Sequence, residues 1–184
     1  MKKDAPKEFL GEYEKRKDNL ESALQGMKDL LVLRLGQIRS MQGTRARLTD
    51  ARLKRPAKIW KKAVKKGYAI GEAFEKIVDI IGIRIVCNNL SDSEAVVEML
   101  RQQQGYLEIN DIKETVINPA PDGYRAIHVR AMLKPRYIGS EETTPCEIQI
   151  RTLAQDTWAR LSRADLYGKN TPNGRCTAPW SPQR

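Results

Sequence analysis

Glu147–Ile148–Gln149–Ile150–Arg151–Thr152 reads as a short β-strand with two chemically different faces. Side chains alternate across a sheet, so Glu147, Gln149 and Arg151 share one face and Ile148 and Ile150 the other. One face is equipped for chemistry and the other is core. Upstream, Asp122–Gly123–Tyr124–Arg125–Ala126–Ile127–His128 forms a glycine-containing turn that presents an aromatic ring just before another strand. Together the two stretches point to a nucleotide site on an open sheet.

The rest of the chain supplies the elements around that strand. Residues 76–87 read as a buried strand rich in β-branched residues, with Asp79 at its start and Arg84 within it. A carboxylate entering an apolar strand costs free energy unless it is paired or metal-bound, the alternative being a turn or strand-edge acid. Ser91–Asp92 caps a helix over 92–104, closed by Gly105. Strands follow near 107–117, 124–133 and 145–151, and then a helix over 153–166. At the other end, Leu20, Leu24, Met27, Leu31, Leu35, Ile38 and Met41 step by three or four and predict a helix over 7–42, ended at Gly43–Thr44. Its stripe fits a core or partner face, since acids are mixed into the polar side.

A basic stretch, Arg45 to Lys66, comes next. Pro56 suits the first turn of a helix and Gly67 its C-terminal cap. On that helix Lys58, Lys62 and Lys65 lie on one face with Lys61 beside them, and Ile59, Trp60, Ala63 and Val64 form the apolar side. Such a stripe can hold a triphosphate, or it can be a solvated helix face. The expected order is α-α-β-α-β-β-β-α, an α+β arrangement with a mixed sheet of four or five strands packed with helices. It divides into an N-terminal helical region (1–44), a main domain (45–167) and an irregular tail (168–184) rich in Pro, Gly, Asn and Thr.

Composition bounds the function. With 184 residues there is enough chain for one substantial core, and a formal net charge of +10 suits polyanionic partners, the equal alternative being a solvated basic exterior. No apolar run approaches the roughly 18–20 residues of a membrane-spanning helix, and the N-terminus does not resemble a signal peptide. Cys87, Cys146 and Cys176 are odd in number and show no CxxC spacing, as expected of reduced thiols in a cytoplasmic protein. The single histidine, His128, excludes a hydrolase built on several His and Asp metal ligands.

Four blocks in order carry a family resemblance: Arg52–Leu–Lys54–x–Pro56–x–Lys58–Ile–x–x–Lys62, Asp79–Ile–Ile–Gly–Ile–Arg84, Asp122–Gly–Tyr124–Arg–x–x–His128 and Glu147–Ile–Gln149–Ile–Arg151–Thr. The set resembles the RelA/SpoT synthetase domain of alarmone synthetases over residues 45–167. The last block is highly specific, and each of the others alone is weak. The resemblance implies a nucleotidyltransferase-like core that moves the β,γ-pyrophosphate of ATP onto a ribose 3′-hydroxyl, with GDP or GTP the usual acceptor and AMP released. It implies Mg²⁺ as cofactor. Asp79 matches the magnesium-binding aspartate, and Glu147 the second acid, which assists the metal or deprotonates the hydroxyl. Arg52, Lys54, Lys58 and Lys62 match the block that grips ATP. Arg84 joins them or is a buried structural arginine. Tyr124 matches the ring that stacks on the acceptor base, and His128 a histidine nearby. Gln149 and Arg151 are expected to line the site beside Glu147.

The chain departs from the family pattern in two places. Close relatives carry a lysine where this chain has Ala120, an asparagine at Asp122, and a Glu-His pair where it has Ser162–Arg163. A positive charge lost near the acceptor phosphates weakens the case for GDP or GTP. Toxic members pyrophosphorylate the 3′ end of tRNA or use adenine nucleotides, and a basic surface suits RNA. The expectation is a synthesis-only enzyme without membrane attachment. Its oligomeric state and any antitoxin or regulatory partner stay open, and a non-catalytic RNA-binding module is the reading from a different class.

Overall fold

The computed structural model describes residues 5–116, 123–134 and 143–167, with side chains through residue 162. Ten elements follow one another: α1 (Lys7–Gln42), β1 (Ala46–Leu53), α2 (Pro56–Lys66), α3 (Ile70–Lys76), β2 (Ile81–Cys87), α4 (Leu90–Arg101), β3 (Leu107–Glu114), β4 (Ile127–Leu133), β5 (Thr144–Thr152) and α5 (Leu153–Tyr167). The five strands form one mixed sheet in the order β1-β2-β5-β4-β3. β2 and β5 are parallel, and every other neighbouring pair is antiparallel. The α+β class and the mixed sheet are as the sequence predicts.

The sheet works because its two faces differ. Ile81, Ile83, Ile85, Val129, Ala131, Ile148 and Ile150 point to one face, where Met27, Leu31 and Leu35 of α1 and Val96 and Leu100 of α4 cover them. Each buried aliphatic side chain there contributes roughly 1.5–3 kcal/mol. α1 also reaches a second, smaller core. Phe9 and Tyr13 at its start pack with Ile59 and Ala63 of α2, Phe74 of α3, and Ile77 and Ile80. Phe9 stacks on Phe74 with ring centroids 5.2 Å apart and lies 5.3 Å from Trp60. Together these contacts anchor α2 beside the sheet.

Five expectations need correction. Residues 46–53 are an edge strand, β1, inside what reads as a basic stretch, and α3 precedes β2. Asp79 is not in a strand: β2 begins at Ile81, and residues 78–80 form a turn. α4 starts at Leu90, capped by the Asn89 side chain, which accepts from the Asp92 amide at 2.7 Å, rather than by Ser91–Asp92. Gly43 and Gly67, both at φ 70°, end α1 and α2 as expected. Met41 is 80 % exposed and lies outside the core stripe of α1. Residues 168–184, Ala120 and Asp122 lie outside the described residues.

Candidate active site

The face opposite the main core carries the polar residues. Register explains the grouping. Gly82 of β2 lies opposite Glu147 of β5, and Arg84 opposite Gln149. On the other side of β5, Arg130 of β4 faces Glu147 and His128 faces Gln149. β1 adds Arg52 opposite Gly82. Glu147, Gln149 and Arg151 therefore share a face, and neighbouring strands add charged groups to it.

Asp79 sits in the turn before β2, facing Lys54 just after β1 and Lys62 on α2. Lys62 Nζ donates to Asp79 Oδ1 at 2.7 Å, and Lys54 Nζ donates to Oδ2. Burial by itself would raise the Asp79 carboxyl, but the two ammonium groups outweigh it and hold the group below the usual aspartate range. Glu147 is held differently. His128 Nδ1 lies 3.0 Å from Glu147 Oε1, Gln149 Nε2 donates to the same oxygen at 3.1 Å, and Arg130 Nε stands 3.8 Å from Oε2. The His128 hydrogen bond is the main reason that Glu147 drops to about 2, against a smaller opposing effect of burial.

One cleft of about 450 Å³ joins these two acids. Its walls include Arg52, Lys54, Arg55 and Lys58 on one side, and Gly82 and Gln149 toward the sheet. Arg55 falls at an unassigned position of the first sequence block. Its signal was present in the basic stretch, immediately before Pro56. Lys62 enters through its bond to Asp79. Lys61 and Lys65 of the expected stripe are exposed.

The remaining predicted residues form a second cluster beyond Glu147. Tyr124 Oη lies 3.0 Å from His128 Nε2, and Arg151 Nη2 donates to that hydroxyl at 2.8 Å. The Arg151 guanidinium also sits 5.0 Å from the Tyr124 ring centroid. A carboxylate accepts and a guanidinium donates. When the His128 ring is neutral its proton therefore lies on Nδ1, facing Glu147, and the Tyr124 hydroxyl donates to Nε2. Arg84 is not among the cleft walls and lies with Nε 3.8 Å from Asp156 Oδ1, in line with the structural role. Asp156 and Arg130 were not anticipated. Arg130 was detectable by its alternation with His128 along β4, whereas Asp156 gave no distinguishing signal.

Residues 51–171 match the family described as the region found in RelA / SpoT proteins. The chain belongs to the RelA/SpoT family. Among RelA/SpoT relatives, the GTP pyrophosphokinase YwaC of Bacillus subtilis is 37 % identical over 124 residues, which is 66 % of this chain and 59 % of the relative. GTP pyrophosphokinase YjbM of the same organism is 32 % identical over 116 residues, 63 % of this chain and 54 % of the relative. The chain thus spans little more than half the length of these relatives. Among solved structures, small alarmone synthetase 1 from Bacillus subtilis bound to its product pppGpp superposes with a TM-score of 0.75 at 27 % identity, covering 88 % of this chain and 84 % of that one. Small alarmone synthetase 2 gives 0.67 at 30 % identity, covering 85 % and 84 %. The RelA/SpoT fold is therefore shared with proteins that make alarmones. No helix among the described residues is long and apolar enough to cross a membrane.

Proposed function

We propose that this chain moves the β,γ-pyrophosphate of ATP to the ribose 3′-hydroxyl of GDP or GTP, giving (p)ppGpp and AMP. One observation carries the reading: a single cleft brings both family acids, Asp79 and Glu147, against Arg52, Lys54, Arg55 and Lys58. The two relatives named GTP pyrophosphokinase support the choice of acceptor.

The chemistry follows from these groups. The acceptor O3′ forms a bond to the β-phosphorus and gives up its proton to solvent, the bond from that phosphorus to the oxygen bridging it to the α-phosphorus breaks, and AMP leaves with that oxygen. Charge builds on the phosphate oxygens, and the arginine and lysine side chains offset it as donors and point charges. The donor set also fits Mg²⁺, a hard cation that takes one or two carboxylates together with substrate phosphates. Asp79 and Glu147 would hold it. When bound there, the ion supplies charge neutralisation at the reacting phosphates.

Glu147 has two candidate roles, and its environment favours one. A general base works best with a pKa near the working pH. A carboxyl near 2 accepts a proton poorly and stabilises positive charge well. Its Oε1 is already occupied by His128 and Gln149, so Oε2, which has only the more distant Arg130 Nε at 3.8 Å, is the oxygen better able to face a metal cation or the 3′-hydroxyl. In this reading Tyr124 and His128, on the far side of Glu147, meet the acceptor.

The test is transfer of label from γ-labelled ATP with Mg²⁺, offering GDP, GTP, ATP and deacylated tRNA separately. Label on GDP or GTP that vanishes in Asp79→Ala and Glu147→Ala is the expected result. Label on tRNA alone would replace this reading with that of an RNA-modifying toxin, and no transfer to any acceptor would leave a binding module.

A further inference from the structure

Asp156 lies in the first turn of α5, and the junction that places it is tightly fixed. β5 ends at Thr152 and α5 starts at Leu153. The Thr152 amide donates to Gln155 Oε1 at 2.9 Å, and the Gln155 amide donates to Thr152 Oγ1 at 3.3 Å, a reciprocal cap. This turn sets Asp156, 3 % exposed, over the end of the strand against Arg151, 1 % exposed.

The contacts form a relay. Arg151 Nη1 donates to Asp156 Oδ1 at 3.2 Å. Its Nη2 donates to the Tyr124 hydroxyl at 2.8 Å and to Gln149 Oε1 at 2.9 Å. Asp156 Oδ2 takes Arg160 Nε at 2.7 Å. A guanidinium is a planar, rigid fork, so fixing one nitrogen fixes the direction of the other. The Tyr124 ring follows Gly123, whose φ of 77° no other described residue type shares. A ring on such a turn needs an external anchor to keep one orientation. Its hydroxyl is anchored by Arg151 and His128, and Arg151 is in turn anchored by Asp156. Asp156 itself is absent from the walls of the cleft that holds Asp79, Lys54 and Lys58.

We propose that Asp156 is a positioning residue for the acceptor nucleotide: through Arg151 it fixes the Tyr124 ring, which stands apart from the basic wall of the donor cleft, so donor binding changes little. This rests on the acceptor site proposed above. A purely structural ion pair would weaken both substrates or neither. The relay predicts asymmetry.

The experiment measures calorimetric binding of GDP and, separately, of a non-hydrolysable ATP analogue to the full chain, together with the KM for each substrate. In Asp156→Asn, GDP affinity falls about tenfold, the scale of one lost charge-assisted hydrogen bond, while affinity for the ATP analogue changes less than about twofold. Tyr124→Phe removes the far end of the relay and gives a similar acceptor-specific loss. Although Asp156 and Tyr124 do not touch, the double variant is no worse than the worse single one. If Asp156→Asn does not fold, Arg151→Lys keeps the buried charge but loses the fork, and it shows the same asymmetry. Equal losses for donor and acceptor, or additive effects in the double variant, overturn the relay while the proposed activity stands. A wild-type chain that binds neither nucleotide overturns the proposed activity, and the relay with it.

Discussion

Replacing Glu147 with glutamine should flatten the acid limb of stability. The native carboxyl is depressed from 4.5 to about 2, chiefly by the His128 hydrogen bond. A depressed acid contributes stability that is fully present above its unfolded value, and loses it as pH falls toward the folded value. The window is therefore about pH 4.5 down to 2. A shift of roughly 2.5 units corresponds to about 3 kcal/mol of coupling. The side chain is only 13 % exposed, so solvent screening removes little of this. Most of it should vanish between pH 5 and 2.5. Urea unfolding of the wild-type chain and of Glu147→Gln, measured at pH 7, 5, 4, 3 and 2.5, gives the difference directly. The gap between the two proteins should narrow by about 2 kcal/mol or more across that range. Asp79, Glu12 and Glu72 are also depressed and steepen both curves equally, so only the difference is diagnostic. His128→Ala should remove most of the effect while leaving Glu147 in place. Parallel curves for the wild-type chain and Glu147→Gln would show that the Glu147–His128 bond does not hold the carboxylate in solution, and the account of its role would fail with it.

Two further outcomes follow from geometry. Gly123→Ala places a Cβ on a backbone with φ 77°, 3.4 Å from Trp158 Nε1, so we expect a loss of about 1–2 kcal/mol in thermal melts and weaker acceptor binding as Tyr124 shifts. An unchanged melting temperature would argue against the left-handed turn. Burial raises the thiols of Cys87 to about 11 and Cys146 to about 12. In a Cys176→Ser background, an aromatic disulfide reagent at pH 8 should leave the native chain unlabelled and label both thiols in urea; rapid labelling of the native chain would contradict the buried placement of β2 and β5.

Sequence legibility tracked how strongly each element's pattern depends on burial. α1 and β5 were readable because each has one apolar face and one polar face at the period of its backbone. β1 was not. Its sequence, Ala46–Arg47–Leu48–Thr49–Asp50–Ala51–Arg52–Leu53, pairs on one side only, and a register shift between Leu48 and Asp50 breaks the alternation. Its charges read as part of the basic stretch, when they are the polar side of an edge strand. Asp79 was assigned to a strand for the opposite reason. Ile77, Ile80 and Ile81 make the run look continuously buried, but Ile77 and Ile80 belong to the second core under α2 and α3. An apolar run reports burial and says nothing of which core receives it.

The site shows where local pattern stops being informative. Alternation told which residues of β5 share a face, but not that Gly82 and Arg130 lie opposite Glu147, because register between distant strands leaves no trace in either sequence. Phosphate-gripping lysines and a metal-binding acid were therefore read as separate groups, whereas Lys54 and Lys62 close directly on Asp79. Electrostatics explains the closure, since a half-buried carboxylate without a ligand must find counter-charge in the protein. Glu147 meets the same demand through His128 and Gln149, which stand away from the basic wall. The two acids are thus held ionised by different partners. Those of Asp79 are lysines of the basic block, whereas Glu147 is held chiefly by His128 and Gln149, with Arg130 farther off at 3.8 Å. A polyphosphate entering the cleft would loosen the first acid and leave the second fixed, a difference that arises from the fold and that no spacing of residues along the chain could have announced.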